Sequence, residues 1–329
     1  MLPRICLRSS FALAFLAGCL LFRAAPVDGQ TLDETISTLA GENAALYVEP
    51  ITDGFGHAMT FAFFDGARPR GLLRFNLGVR IMAAIPPEEL KTFTPILPAT
   101  VMVEGEPYPN PYTTTGTSPT ATGAGPGLIV EPNPPFRQAL LDANLNPDNY
   151  NLVFPEGLDI PAVPFATIEG TVGVGMGTQV NLRVVPGVEL SDEIGSVSAF
   201  GIGVQHSLTN WLLVPPPVDV SVSAGMQSLS AGDFLEVSGR SLGLAVSRTL
   251  GAITLFAKGA VLTSSMDLDY EVSSPHLETE PRVRLSSDLG SKGRIAAGAH
   301  LQLAFFSVSG QFATSEYNTA SIRVGVGMP

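Results

Sequence analysis

The chain has 329 residues, of which 45% are hydrophobic and only 15% charged, with 34 glycines and 27 prolines. That charged fraction is well below the ~25% of soluble domains, and the mean hydropathy is positive, so part of the surface faces something other than water. Beyond the N-terminal leader no stretch reaches the ~18 uninterrupted apolar residues of a spanning helix. A closed β-barrel is then the membrane-compatible option, because only closure satisfies every backbone group in lipid. The net charge of −12 and the lack of any Lys/Arg cluster exclude a nucleic-acid-binding face.

In chain order, Arg4 and Arg8 precede a short apolar run from Phe11 to Phe22, the pattern of a secretory signal. Residues 1–29 are expected to be removed, with cleavage between Ala24 and Gln30. A second reading takes Leu16-Ala17-Gly18-Cys19 as the box before a lipid-modified cysteine, although the residues after Cys19 stay apolar. Both cysteines, Cys6 and Cys19, lie in this leader, so the mature chain has no disulfide or thiolate chemistry. Residues 30–44 read as an N-terminal extension or plug. Thr31 with Glu34 forms a capping pair and Leu32, Ile36 and Leu39 share a helical face.

Residues 45–329 carry the main signal, an alternation of period two. Leu73, Phe75, Leu77, Val79 and Ile81 alternate with Arg74, Asn76, Gly78 and Arg80. The same holds for Val180–Val184, Val218–Met226, Ile295–Phe305 and Ile322–Met328, and more weakly for Met59–Phe63, Ile168–Met176, Phe200–Val204, Leu242–Val246 and Ile253–Val261. A soluble sandwich also alternates. Two features separate the readings: several segments reach the ~9–11 residues of a tilted membrane strand, and their polar side is Gly, Ser, Gln and Thr with single arginines, as in a lumen. The expected fold is all-β, a single antiparallel transmembrane β-barrel of roughly 12–14 strands, with a short N-terminal helix and one long loop insertion over residues 104–164. That loop is Pro/Thr/Gly-rich, and loops of such length are commonly functional.

Motifs for chemistry are sparse. His57, His206, His276 and His300 lack metal spacing, and no H-E-x-x-H or G-x-S-x-G occurs. The oxygen-rich run from Asp142 to Asn151 has Pro147 where a calcium loop needs glycine. Gly173–Gly177 has no following βαβ unit. No catalytic residue, metal or cofactor is expected, and the chain is expected not to be an enzyme; a Ser/His hydrolase built on His206 with Ser207, or on His300, is the unfavoured alternative. The candidates for a lumen network or constriction are Arg74, Arg80, Glu169, Arg183, Asp219, Arg240, Lys258, Arg294, His300 and Arg323. They either fill a narrow barrel with ion pairs or form a charged, selective constriction. Trp211, Tyr270 and Tyr317 lie near strand ends, where membrane-interface aromatics belong.

The stretch YVEPITDGFGHAMTFAFFDGARPRGLLRFNLGVRIMAAIPPEELKTF (Tyr47 to Phe93), GTQVNLRVVPG (Gly177 to Gly187) and GIGVQHSLTNWLLVPPPVDVSVSAG (Gly201 to Gly225) resemble a family of uncharacterised bacterial outer-membrane β-barrels, a domain of unknown function. That family resembles, distantly, the long-chain fatty-acid transporter barrels. The resemblance spans about Ala44 to Met328 and carries no catalytic residues. It departs at the Pro/Thr-rich residues 104–127 and at the Met328-Pro329 terminus, where such barrels usually end on an aromatic. It implies a porin-like outer-membrane barrel of a Gram-negative cell, in contact with outer-membrane lipid and the barrel-assembly machinery. The expected function is passive passage of small or hydrophobic solutes. The alternatives are a non-transporting structural or surface-interaction barrel and an outer-membrane hydrolase.

Overall fold

The computed structural model describes residues 42–328 apart from 104–105, 114–115, 192–194, 215, 233–234, 272–281 and 289. The proposed signal, Cys19 and the helical face of Leu32, Ile36 and Leu39 lie outside the described residues.

Ten strands form the wall: β1 (Phe75–Ile85), β2 (Val163–Gly175), β3 (Thr178–Ser191), β4 (Gly195–Ser207), β5 (Asp219–Ala231), β6 (Leu235–Leu250), β7 (Ile253–Glu271), β8 (Lys292–Leu303), β9 (Phe306–Thr314) and β10 (Asn318–Gly327). Each pairs antiparallel with the next, and β10 pairs with β1, which closes the barrel. Closure leaves the ten-strand wall without a free edge strand, so each wall strand has a hydrogen-bonded neighbour on both sides. The outer part of β7 pairs with a further short strand, Arg282–Asp288. Ten strands close where the alternation predicted roughly 12–14. Part of the difference is local: Met59–Phe63, counted as a weak strand, is the end of a helix and an irregular turn.

The wall sorts its side chains by parity. Phe75, Leu77 and Val79 on β1, Leu182 and Val184 on β3, Leu242 and Leu244 on β6 and Ile322 and Val324 on β10 point out and are exposed, while Asn76, Arg80, Asn181, Arg183, Ser221, Ser321 and Arg323 point in and are buried. This reverses a soluble protein, with apolar outside and polar within, and it is the arrangement a lipid-embedded barrel requires.

The barrel starts at Phe75 rather than at residue 45. Helix α1 (Glu42–Met59) precedes it and enters the lumen. It can do so because two of its residues are glycine. A Cβ on Gly54 would stand 2.5 Å from a Val163 methyl, and one on Gly56 would stand 2.2 Å from the Ser264 hydroxyl. The middle of the helix is tied to the barrel by Tyr317, whose Oη donates to the carbonyl of Pro50 at 3.2 Å, and its C-terminal end is closed by Thr60 Oγ1, which donates back to the carbonyl of Gly56 at 2.7 Å. Residues 60–67 then run down the barrel, and the chain leaves at the opposite rim, where Arg70 Nη1 donates to the carbonyl of Met328 at 2.9 Å.

The insertion between β1 and β2 runs over residues 86–162, longer than the 104–164 expected, and it is a folded cap. Short two-stranded ladders and helix α2 (Pro134–Asp142) frame it. Asn133 caps α2 by accepting from the Phe136 amide at 2.9 Å, with prolines in the first turn where no amide partner is needed. Phe136 and Leu140 on its buried face pack with Phe93, Tyr112, Val130 and Phe154. Ala44, Tyr47 and Val48 of α1 belong to the same cluster, so cap and plug share a core. The rim bearing the cap is called the cap rim below, and the other, with short turns, the open rim.

Candidate functional site

The polar lumen is organised around two carboxylates. Glu169 comes from β2, and Asp65 comes from the segment that follows α1. Register brings the cations to them: Arg80 of β1 stands opposite Arg323 of β10, and Glu169 stands opposite Arg183 of β3. Two arginines facing across a ladder would repel. Here the carboxylates lie between them. Arg80 Nε and Nη2 donate to the two Glu169 oxygens at 3.1 Å each, and Arg80 Nη2 also reaches both Asp65 oxygens at 2.8 Å. Arg183 Nε donates to Glu169 Oε2 at 3.2 Å, and Arg323 Nε donates to Glu169 Oε1.

Neutral groups complete the shell. Arg80 Nη1 donates to Ser321 Oγ at 3.0 Å, Arg323 to Ser307 and Asn76, and Arg183 Nη1 to the carbonyl of Phe61 at 2.8 Å. The Arg183 guanidinium also lies 4.0 Å over the Phe63 ring, a favourable placement for a desolvated cation. Lys258 of β7 donates to the carbonyl of Phe64 and, at 3.1 Å, to Gln311 Oε1, while Gln311 Nε2 donates to Asp65 Oδ1 at 3.1 Å. Glu169, Arg80 and Arg183 are buried to within 1% of complete.

Towards the cap rim a second layer holds α1. Arg294 Nη2 donates to the carbonyl of His57 at 2.7 Å, and its guanidinium lies 5.1 Å from the Phe61 ring. The His57 ring stacks on Tyr317 with centroids 4.7 Å apart. Burial, then the charges of Arg294 and Lys292, push the His57 pKa down to about 3, so this imidazole is neutral. One turn earlier, burial, with Glu49 and Glu316 nearby, pushes the Asp53 carboxyl up to about 7.

Sequence candidates thus fall into separate places. Arg80, Glu169, Arg183, Lys258 and Arg323 come together in one network, and Arg294 sits in the second layer. Arg74, Asp219 and His300 line a cavity at the open rim. Two assignments are corrected. Arg240 is exposed on the outer face, because β6 places even-numbered residues (Leu242, Leu244) outward, and a one-residue step switches face. Tyr317 is no interface aromatic: it is fully buried and packs on α1, because the β9–β10 turn folds inward over the helix. Trp211 is exposed at the open rim and donates from Nε1 to His206 Nε2 at 3.1 Å. The Tyr270 side chain lies outside the described residues.

Asp65 was not among the candidates, although it is the hub's second acid. An acid flanked by Phe64 and Gly66 in a weakly charged chain is the one available clue, and nothing local shows that it faces Arg80. His206 and Ser207 point to opposite faces of β4: His206 meets Thr178 Oγ1 at 2.8 Å outside, and Ser207 is buried inside. Among the described residues, no group of three or more His, Cys, Asp or Glu is placed to hold a metal ion.

The fold resembles solved outer-membrane barrels at low identity. The outer membrane protease OmpT from Escherichia coli is 10% identical, with 77% of this chain and 95% of that one covered and a TM-score of 0.31. The translocator domain of the autotransporter NalP from Neisseria meningitidis is 10% identical, with 89% and 99% covered and a TM-score of 0.31. The beta domain of the Bordetella autotransporter BrkA is 11% identical, with 78% and 99% covered and a TM-score of 0.26. The likeness is to outer-membrane barrels at large and not to fatty-acid transporters specifically. A comparison with curated proteins finds no match. The family itself is shown by a model that matches residues 7–328: the chain belongs to the Family of unknown function (DUF6588).

Proposed function

We propose that this protein is a non-enzymatic outer-membrane barrel with a closed lumen, which anchors the cap of residues 86–162 as an interaction surface outside the cell. The observation that carries this reading is the seating of Asp65, a plug residue, between Arg80 and Arg323 of the wall. Removing one partner from a buried pair costs about 3–5 kcal/mol, so expelling the plug means breaking several such contacts together. The orientation follows from the general rule that short turns face the periplasm and long connections face outward.

Passage of small or hydrophobic solutes is the second reading. The cavity at the open rim favours it, and it requires residues 60–70 to move. Planar-bilayer recording on the refolded full chain separates the two. The closed reading expects an unbroken baseline, and discrete open steps at moderate voltage overturn it. Protease added to intact cells tests the cap: cleavage within residues 86–162 is expected, and cleavage only after permeabilisation reverses the orientation.

A further inference from the structure

We propose that the vestibule at the open rim is a binding site for an organic anion, a phosphate or carboxylate group carried on a partly apolar body. The vestibule is a cavity of about 1200 Å³, somewhat larger than the ~300–1,000 Å³ that ligand sites usually occupy. Arg68, Arg70, Arg74 and Arg323 contribute to its lining, against Asp65 and Asp219 as the acids. Asp65 is already committed to Arg80 and Gln311.

The charge behind the lining has the same sign. Among the described residues of the central network that lie outside the lining, the three cations Arg80, Arg183 and Lys258 face one carboxylate, Glu169. A cleft lined by one sign of charge between low-dielectric walls concentrates the opposite ion. Arg70 is held in place by two contacts of its own: its backbone amide donates to Gln179 Oε1 at 3.0 Å, and its Nη1 uses one donor on Met328. A guanidinium has five donors in a fork that matches carboxylate and phosphate. Burial and the neighbouring Arg323 lower the Arg70 pKa, a penalty that a bound anion offsets. Leu72, Val174, Met176 and Leu212 supply the apolar part of the wall. This site does not depend on whether the lumen conducts.

The test uses the refolded full chain in neutral maltoside micelles at low ionic strength. Calorimetric titration compares phenyl phosphate with phenol, phenyltrimethylammonium and inorganic phosphate. Phenyl phosphate should saturate at one per chain, with the other three at least tenfold weaker. Arg68→Gln with Arg70→Gln should weaken it at least tenfold, with unchanged heat-modifiable migration. Should that variant not fold, the wild-type affinity must still fall steeply as NaCl is raised. Equal affinity for phenol, tighter binding of the cation, or salt-independent binding overturns the proposal. Repeating the titration in nanodiscs distinguishes the source of the anion. A lower phenyl phosphate affinity with phosphatidylglycerol than with phosphatidylcholine makes a lipid headgroup the occupant, and equal affinity makes it a soluble anion.

Discussion

Glu169 grips Arg80 with both carboxylate oxygens, Nε to Oε2 and Nη2 to Oε1 at 3.1 Å each, and the same two oxygens also serve Arg183 and Arg323. One carboxylate therefore holds three strands and, through Arg80 and Asp65, the plug.

Replacing Glu169 with Gln should accordingly be far more harmful than a typical lumen change. Three buried guanidiniums lose their shared counter-charge, and a loss of about 3–5 kcal/mol is expected. The midpoint of the heat-modifiable gel shift should fall sharply in E169Q. A matched change at the exposed Arg240, to Gln, should leave it within experimental scatter.

The cap has its own core and should fail separately. Phe136 is fully buried and meets Tyr108, Tyr112 and Tyr150 with ring centroids 4.7, 5.9 and 6.0 Å away. Phe136→Ala should cost about 3–5 kcal/mol of cap stability. Limited proteolysis should then cut within residues 86–162 much faster, while the barrel keeps its heat-modifiable migration.

Stability at the cap rim should depend on pH in two opposite senses. Asp53 is raised from 3.8 to about 7 by burial and by Glu49 and Glu316. The native state thus keeps a proton the unfolded chain releases, and this contribution is full below 3.8 and lost as pH rises through about 7. His57 is lowered from 6.5 to about 3, so its contribution is full above 6.5 and lost as pH falls through about 3. Asp53→Asn should raise the melting midpoint at pH 8 by several degrees relative to wild type and matter little at pH 4. His57→Gln should flatten the acid limb between 6.5 and 3. A wild type and D53N that run parallel from pH 4 to 8 would refute the first assignment.

Trp211 is the single tryptophan of the chain and is 57% exposed near the open rim. Reconstitution into vesicles of brominated lipid should quench its emission strongly, because interfacial tryptophans sit at headgroup depth. Emission unchanged from non-brominated vesicles would place the open rim away from the bilayer surface.

Much of the barrel was legible in the order of residues, because alternation on a strand is a local property. The apolar residues of β1 and β10 stand outward as their parity requires, and Arg80, Arg183 and Arg323 share the inward face. Helix α1 was legible only in part: its span, Glu42–Met59, overlaps just the end of the expected 30–44 extension. Its buried faces do not form one stripe, since a helix enclosed by a barrel is covered on most sides.

What residue order determined by itself was the period of the wall, the polarity of its two faces and the confinement of both cysteines to the first 19 residues. Those follow from the two-residue repeat of a strand and from composition. Tertiary structure alone decided the closure at ten strands, the place of Asp65 between Arg80 and Arg323, and the folding of residues 86–162 into a cap. The inward turn of Tyr317 belongs with these. Each depends on which distant segments meet, and a pairing between residues 15 to 258 positions apart leaves no periodic trace in the chain.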